Sequence, residues 1–132
     1  MASDVVFHFR KDGYMKVMSW VSEFPAAITV CDREGIILAM NDRSCETFGE
    51  EGGAALIGMN LLDCHPEPAR TKVASLLNSR SPNVYTIEKG GIKKLIYQSP
   101  WYDEGRYAGF VELSLPIPGE IPHFIRDAKA SE

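Results

Sequence analysis

FPAAITVCDREGIILAMN, residues 24–41, holds two short apolar runs on either side of a polar, glycine-containing link. Ala27, Ile28, Val30 and Cys31 make the first strand candidate, Asp32-Arg33-Glu34-Gly35 the link, and Ile36 to Met40 the second strand. Two such runs joined this way predict an antiparallel hairpin, with the turn type left open by the length of the link.

Upstream, Met15, Met18, Val21 and Phe24 recur at helical spacing, with Tyr14 and Val17 widening the stripe. This predicts a helix over Tyr14–Phe24, ended by Pro25. The stripe suits two roles equally, lying against the chain's own sheet or pairing with a second subunit. Met15, Met18, Val21 and Phe24 are therefore the dimer-interface candidates.

Downstream, Asn41 or Asp42 can cap a short helix with Cys45 and Phe48 on its inner side, stopping at Gly49. Asp63 is placed to cap a longer helix, with Pro66 and Pro68 tolerated in its first turn. Ala69, Val73, Leu76 and Leu77 carry its apolar spacing to about residue 78. The remainder turns to β structure. Val84–Ile87, the link Glu88-Lys89-Gly90-Gly91 and a strand from Leu95 toward Trp101 or Tyr102 form a second hairpin. Pro100 predicts an edge or an irregularity late in that strand. Tyr107–Leu115 alternates, with Tyr107, Gly109, Val111 and Leu113 on one face and Ala108, Phe110, Glu112 and Ser114 on the other. The order of elements predicts an α+β fold, an antiparallel sheet with helices on one face.

Composition narrows the function. A 132-residue chain with 45% hydrophobic and 24% charged residues suits one domain with a real core. Its formal charge of −4, with no dense basic run, argues against direct nucleic-acid binding. No stretch reaches the roughly 18–20 apolar residues that cross a bilayer, so no membrane insertion is expected. Three cysteines (Cys31, Cys45, Cys64) form no disulfide framework, which fits a reducing, cytoplasmic location.

Phe24-Pro25-Ala26-Ala27-Ile28, Asp32, Gly35-Ile36, Asn41, Phe48-Gly49, Ile57-Gly58, Leu62-Asp63-Cys64-His65-Pro66 and Gly109-Phe110-Val111 together resemble the PAS family, including its S-box form. The resemblance implies a PAS-like five-stranded antiparallel sheet, helices over a small-ligand pocket, and dimerisation through flanking helices. It divides the chain into an N-terminal flank with an amphipathic helix (1–23), a PAS-like domain (24–115) and a proline-containing C-terminal extension (116–132).

The family hosts haem, flavin and metabolite sensors as well as interaction modules, so the site must decide. His65 is the one haem-ligand candidate, since imidazole binds iron. In haem-binding relatives the ligand follows about a turn or more into the long helix, and that position here is Val73, which has no donor atom. The cysteine motif of photoactive flavin domains is absent: Asn41-Asp42-Arg43-Ser44-Cys45 has neither its order nor its place. Haem or flavin therefore has no specific motif behind it. Scattered cysteines and histidines give no metal-ligand spacing, and no serine sits in a nucleophile elbow. No catalytic residue and no metal site are assigned. Tyr97, Ser99 and Gly109, if the odd-numbered face turns inward, and Val73 and Leu76 on the helix are the ligand-pocket candidates. The reading is a non-catalytic sensory or signal-transmitting module for an unknown small ligand or a regulatory protein partner, with a homodimer expected. The competitors are a haem- or flavin-dependent redox protein and a purely structural dimerisation module.

Overall fold

The computed structural model describes residues 19–128. Of the N-terminal helix it describes a single turn, α1 (Ser19–Ser22). Met15 and Met18 lie outside the described residues. The helix stops at Ser22, short of the expected Phe24, because Pro25 drives the residue before it off helical geometry. Phe24 N–H closes the turn on the Val21 carbonyl at 3.3 Å.

β1 (Ala27–Asp32) and β2 (Ile37–Met40) form the expected hairpin. Asp32 organises its link by accepting from the backbone N–H groups of Glu34 and Ile36, each at 2.9 Å. This local carboxylate turn is what the Asp-x-x-Gly spacing supplies.

Next come α2 (Asp42–Thr47), two 3-10 turns (Gly49–Glu51 and Gly53–Leu56), α3 (Leu61–Cys64) and α4 (Ala69–Ser79). The single helix expected from Asp63 is thus two. Asn60 caps α3 by accepting from Leu62 N–H at 2.8 Å, and Asp63 sits inside that short helix. Pro66 and Pro68 supply no N–H, and residues 67–68 form a turn with Pro68 at φ −88°, ψ 0°, so α4 begins only at Ala69. Its first turn is served by Glu67, whose Oε1 accepts from the Thr71 N–H and hydroxyl at 3.2 and 2.6 Å.

β3 (Asn83–Lys89), β4 (Ile92–Asp103) and β5 (Arg106–Ile117) complete a five-stranded antiparallel sheet in the order β2-β1-β5-β4-β3. The fold class is the expected one. Pro100 sits where proline is tolerated: the β3 ladder ends at Asn83 opposite Gln98, and β4 shifts register between Trp101 and Tyr102. β5 runs two residues past Leu115 and takes in Pro116, since its β1 partner ends at Ala27 opposite Ser114 and no ladder bond is lost on that side.

α1 is fastened to the sheet by Asn41, which is fully buried. Its Oδ1 accepts from Ile28 N–H (2.9 Å) and Ser44 N–H (3.1 Å), and its Nδ2 donates to the carbonyls of Val21 (3.0 Å) and Ala26 (2.8 Å). One side chain therefore caps α2 and ties α1 to the β1–β2 hairpin. Val21 packs with Val30 and Ala39, flanked by Ile28, Leu38, Trp101 and Val111.

Candidate functional site

Between the sheet and the helices lies a cavity of about 1120 Å³, roomy enough for a cofactor or a drug-sized ligand. Its edge strand β3 is exposed along its whole length. The opposite wall comes from α3 and α4, where Val73, Leu76 and Leu77 face the sheet, half-buried. Tyr107 fastens the C-terminal end of α4 to β5: its hydroxyl donates to the Leu77 carbonyl at 2.8 Å, and the Arg80 guanidinium lies 4.5 Å from its ring centroid.

Strand register lays the inward side chains out in rows. Thr29, Glu112, Gln98 and Asn83 stand opposite one another across β1, β5, β4 and β3. Asn83 Nδ2 donates to Gln98 Oε1, and Gln98 Nε2 donates to Glu112 Oε2, each at 2.8 Å. An ionised carboxylate only accepts, so Glu112 fixes the orientation of both amides. At the β1 end, the Thr29 and Ser44 hydroxyls lie 2.6 Å apart. Tyr85, from the neighbouring row, also lines the cavity. Burial first, and then the Glu112 charge, raise its hydroxyl pKa, with the Gln98 hydrogen bond opposing. Apolar walls flank this row: Cys31, Phe110 and Ile37 on the sheet, and Phe48, Leu56 and Leu61 on the helical side.

Val73 and Leu76 stand on the cavity wall, but Tyr97, Ser99 and Gly109 do not. The even-numbered Gln98, Phe110 and Glu112 turn inward, so alternation turns Tyr97, Ser99 and Gly109 away, whereas Tyr107, beyond the register shift at Trp101/Tyr102, reaches α4. On that outer side Trp101 Nε1 donates to the Cys31 carbonyl at 3.0 Å. Gly109 has a backbone role instead. It takes φ +148°, and a Cβ there would collide with the Cys31 carbonyl and the Asp32 backbone. β5 crosses β1 that closely because residue 109 lacks a side chain. Glu112 and Asn83 were not singled out by sequence reasoning. Their significance comes from register, which sets Asn83, Gln98 and Glu112 opposite one another across β3, β4 and β5.

His65 lies on the wall, with Nδ1 2.7 Å from the Leu61 carbonyl oxygen. A carbonyl oxygen only accepts, so Nδ1 is the donor in that contact. Cys64 is exposed at the rim. Burial pushes the Cys31 thiol up to about 11, aided by Asp32 and opposed by a bond to the Phe110 backbone, so it remains a neutral thiol near neutrality. Among the described residues no group of three His, Cys, Asp or Glu side chains is placed to hold a metal ion.

Of the dimer-interface candidates within the described residues, Val21 is spent inside the core, whereas Phe24 is largely exposed and meets the exposed Trp20 edge-on, ring centroids 5.9 Å apart. Among the described residues no helix is long and apolar enough to cross a membrane.

A protein-family model described as "PAS fold" matches residues 21–79. No curated protein matches the chain. Solved structures do. The C-terminal domain of a Streptococcus mutans protein superposes with a TM-score of 0.63 at 18% identity, covering 85% of this chain and 92% of that one. The PAS domain of Bordetella pertussis BvgS gives 0.59 at 21% identity, covering 82% and 88%. The Aer2 receptor of Vibrio cholerae, described as a dual PAS–haem oxygen sensor, gives 0.50 at 23% identity, covering 70% and 95%.

Proposed function

We propose that this chain is a PAS-type sensory domain, a non-catalytic module sensing a small ligand in the cavity between its sheet and α4; the PAS-fold match over residues 21–79 and the likeness to PAS structures support the reading. The observation that carries the reading is the cavity itself: apolar over most of its wall, yet crossed by one row of hydrogen-bonded polar side chains. An apolar wall supplies affinity, and a few placed polar groups supply orientation. The signal is a change in packing, and a ligand transmits it only by binding two packings unequally. α4 is suited to respond. It has no fully buried residue and is fastened to β5 at its C-terminal end. The output leaves through the N-terminal flank (1–23), whose Val21 is tied to the sheet by Asn41, toward a regulatory partner or a second copy of the chain in the cytoplasm.

The test is a small-molecule screen on the full chain by thermal shift and two-dimensional amide spectra, beside native mass spectrometry of freshly purified protein. Binding should perturb Gln98, Glu112 and Val73 together and be weakened in Val73→Phe, which projects a larger side chain into the cavity from α4. Ligands that perturb only residues outside the cavity sink the reading. Native mass spectrometry also reports whether the chain is the dimer proposed.

A second reading, haem, draws on His65, which lies on the cavity wall and could bind iron through its second ring nitrogen. Val73, on the facing helix, offers iron nothing. A Soret band in fresh protein that disappears in His65→Ala would favour it over the first.

A further inference from the structure

The cavity's polar row has a direction. Asn83 gives to Gln98 and Gln98 gives to Glu112, so every donor points one way and the row ends on a carboxylate. Glu112 is half-buried and receives just that one amide. Among the described residues the ion pairs are Arg43–Glu46 and Arg70–Asp63, so no side-chain cation compensates Glu112. Lys72, the lysine on the wall, is an exposed rim residue of α4. A carboxylate with no cation beside it attracts positive charge, and more strongly next to apolar walls that keep solvent screening low. Phe110 stands next to it along β5, and Val73 and Leu76 face it from the helix.

We propose that the ligand carries a protonated nitrogen at one end, set against Glu112, and an apolar body lying between Phe110 and α4. The assignment rests on the cavity being the ligand site. A donor is required because Glu112 only accepts, and the neighbouring acceptor, Gln98 Oε1, is already taken by Asn83 Nδ2. A positive charge is required because a neutral donor leaves the carboxylate uncompensated. An anionic ligand end would meet the same carboxylate and be repelled.

The probes are three molecules of one shape, phenethylamine, 2-phenylethanol and phenylacetate, titrated into the full chain and followed by amide spectra and calorimetry. Phenethylamine should bind at least about tenfold tighter than the alcohol, as expected of a hydrogen bond to a charged group, and phenylacetate should bind weakest. Glu112→Gln keeps an acceptor for Gln98 and removes only the charge. It should bring the amine and the alcohol to within about twofold of each other. Its amide spectrum away from the cavity should match that of the unmodified chain, which establishes that it folds. If the alcohol or the acid perturbs the cavity residues as strongly as the amine, or if Glu112→Gln retains the amine preference, the charge assignment is overturned and the cavity reading stands. If none of the three perturbs a cavity residue at millimolar concentration, both are overturned.

Discussion

Replacing Asn41 by alanine should remove a large part of the domain's stability. The side chain is fully buried and makes four hydrogen bonds of 2.8–3.1 Å. The bond to Ser44 N–H is a helix cap, worth about 1 kcal/mol. The bonds to Ile28 N–H and to the Val21 and Ala26 carbonyls are worth about 1 kcal/mol each, and more where the deserted partner finds no water. Together these make a loss of about 4–5 kcal/mol, against the roughly 5–15 kcal/mol that holds a typical domain. Urea unfolding of the full chain measures it directly, provided the m-value is unchanged. Asn41→Asp separates the two halves of the network. It keeps both acceptor contacts but turns a carboxylate oxygen toward two carbonyls, so its deficit should be large at neutral pH. The deficit relative to the unmodified chain should shrink on acidification, when the protonated carboxyl again has a hydrogen to give. An alanine variant within about 1 kcal/mol of the unmodified chain, or an aspartate variant as stable as it at neutral pH, would refute the claim that one side chain fastens α1 to the sheet.

Gly109→Ala should cost at least about 3 kcal/mol or prevent folding, because its φ of +148° and the close Cys31 carbonyl both exclude a side chain; an unchanged urea midpoint would contradict the close crossing of β1 and β5. Cys31 should make the domain alkali-sensitive. Its folded pKa of about 11 lies above the ordinary 9.0, so the native state holds the proton longer than the unfolded chain. Stability is then full below pH 9 and falls as the pH rises toward 11, by on the order of 2–3 kcal/mol. Cys31→Ala should flatten that part of the pH profile, and an identical slope in the variant would remove Cys31 as its cause. In thiol labelling of native protein, exposed Cys64 should react well before Cys31.

Most of the fold was legible because its signals are local. Asp32 and Gly35 announce the first turn, and the apolar runs on either side need no partner to be recognised as strands. Pro100 disclosed the end of the β3 ladder for the same reason, since a missing N–H is a property of the residue itself. The boundary between α3 and α4 was harder. Asp63 has the chemistry of a cap, yet Asn60 holds the position, and the proline pair separates what spacing alone joined. The inward face of β4 and β5 was not legible at all. Gln98 and Glu112 lie on one side, and Tyr97 and Trp101 on the other. Both sides of these strands are partly covered, the inner one by the cavity helices and the outer one around Trp101 by the Val21–Val30 cluster. Alternation then says that the faces differ without saying which one looks inward. Register decides it, and register is a relation between strands far apart in sequence. The same holds for the Asn83–Gln98–Glu112 row, three polar residues that mean little until pairing sets them side by side.

The strand order has a consequence for how the molecule comes to be made. β1 is the first strand in sequence and β5 the last, yet they are neighbours in the sheet, with Ala27 opposite Ser114. On a ribosome, the β1–β2 hairpin emerges early and stays unfinished on its β5 side until nearly the whole domain has been synthesised. A two-stranded hairpin is marginal by itself in water. The contiguous β3–β4–β5 meander pairs locally, so it can assemble as soon as it emerges, and β1 then docks against its free edge. Closing so long a loop slows folding more than it weakens the product. Until β5 arrives, the β5-facing edge of β1 has no partner strand, so its backbone groups there stay unpaired through most of synthesis.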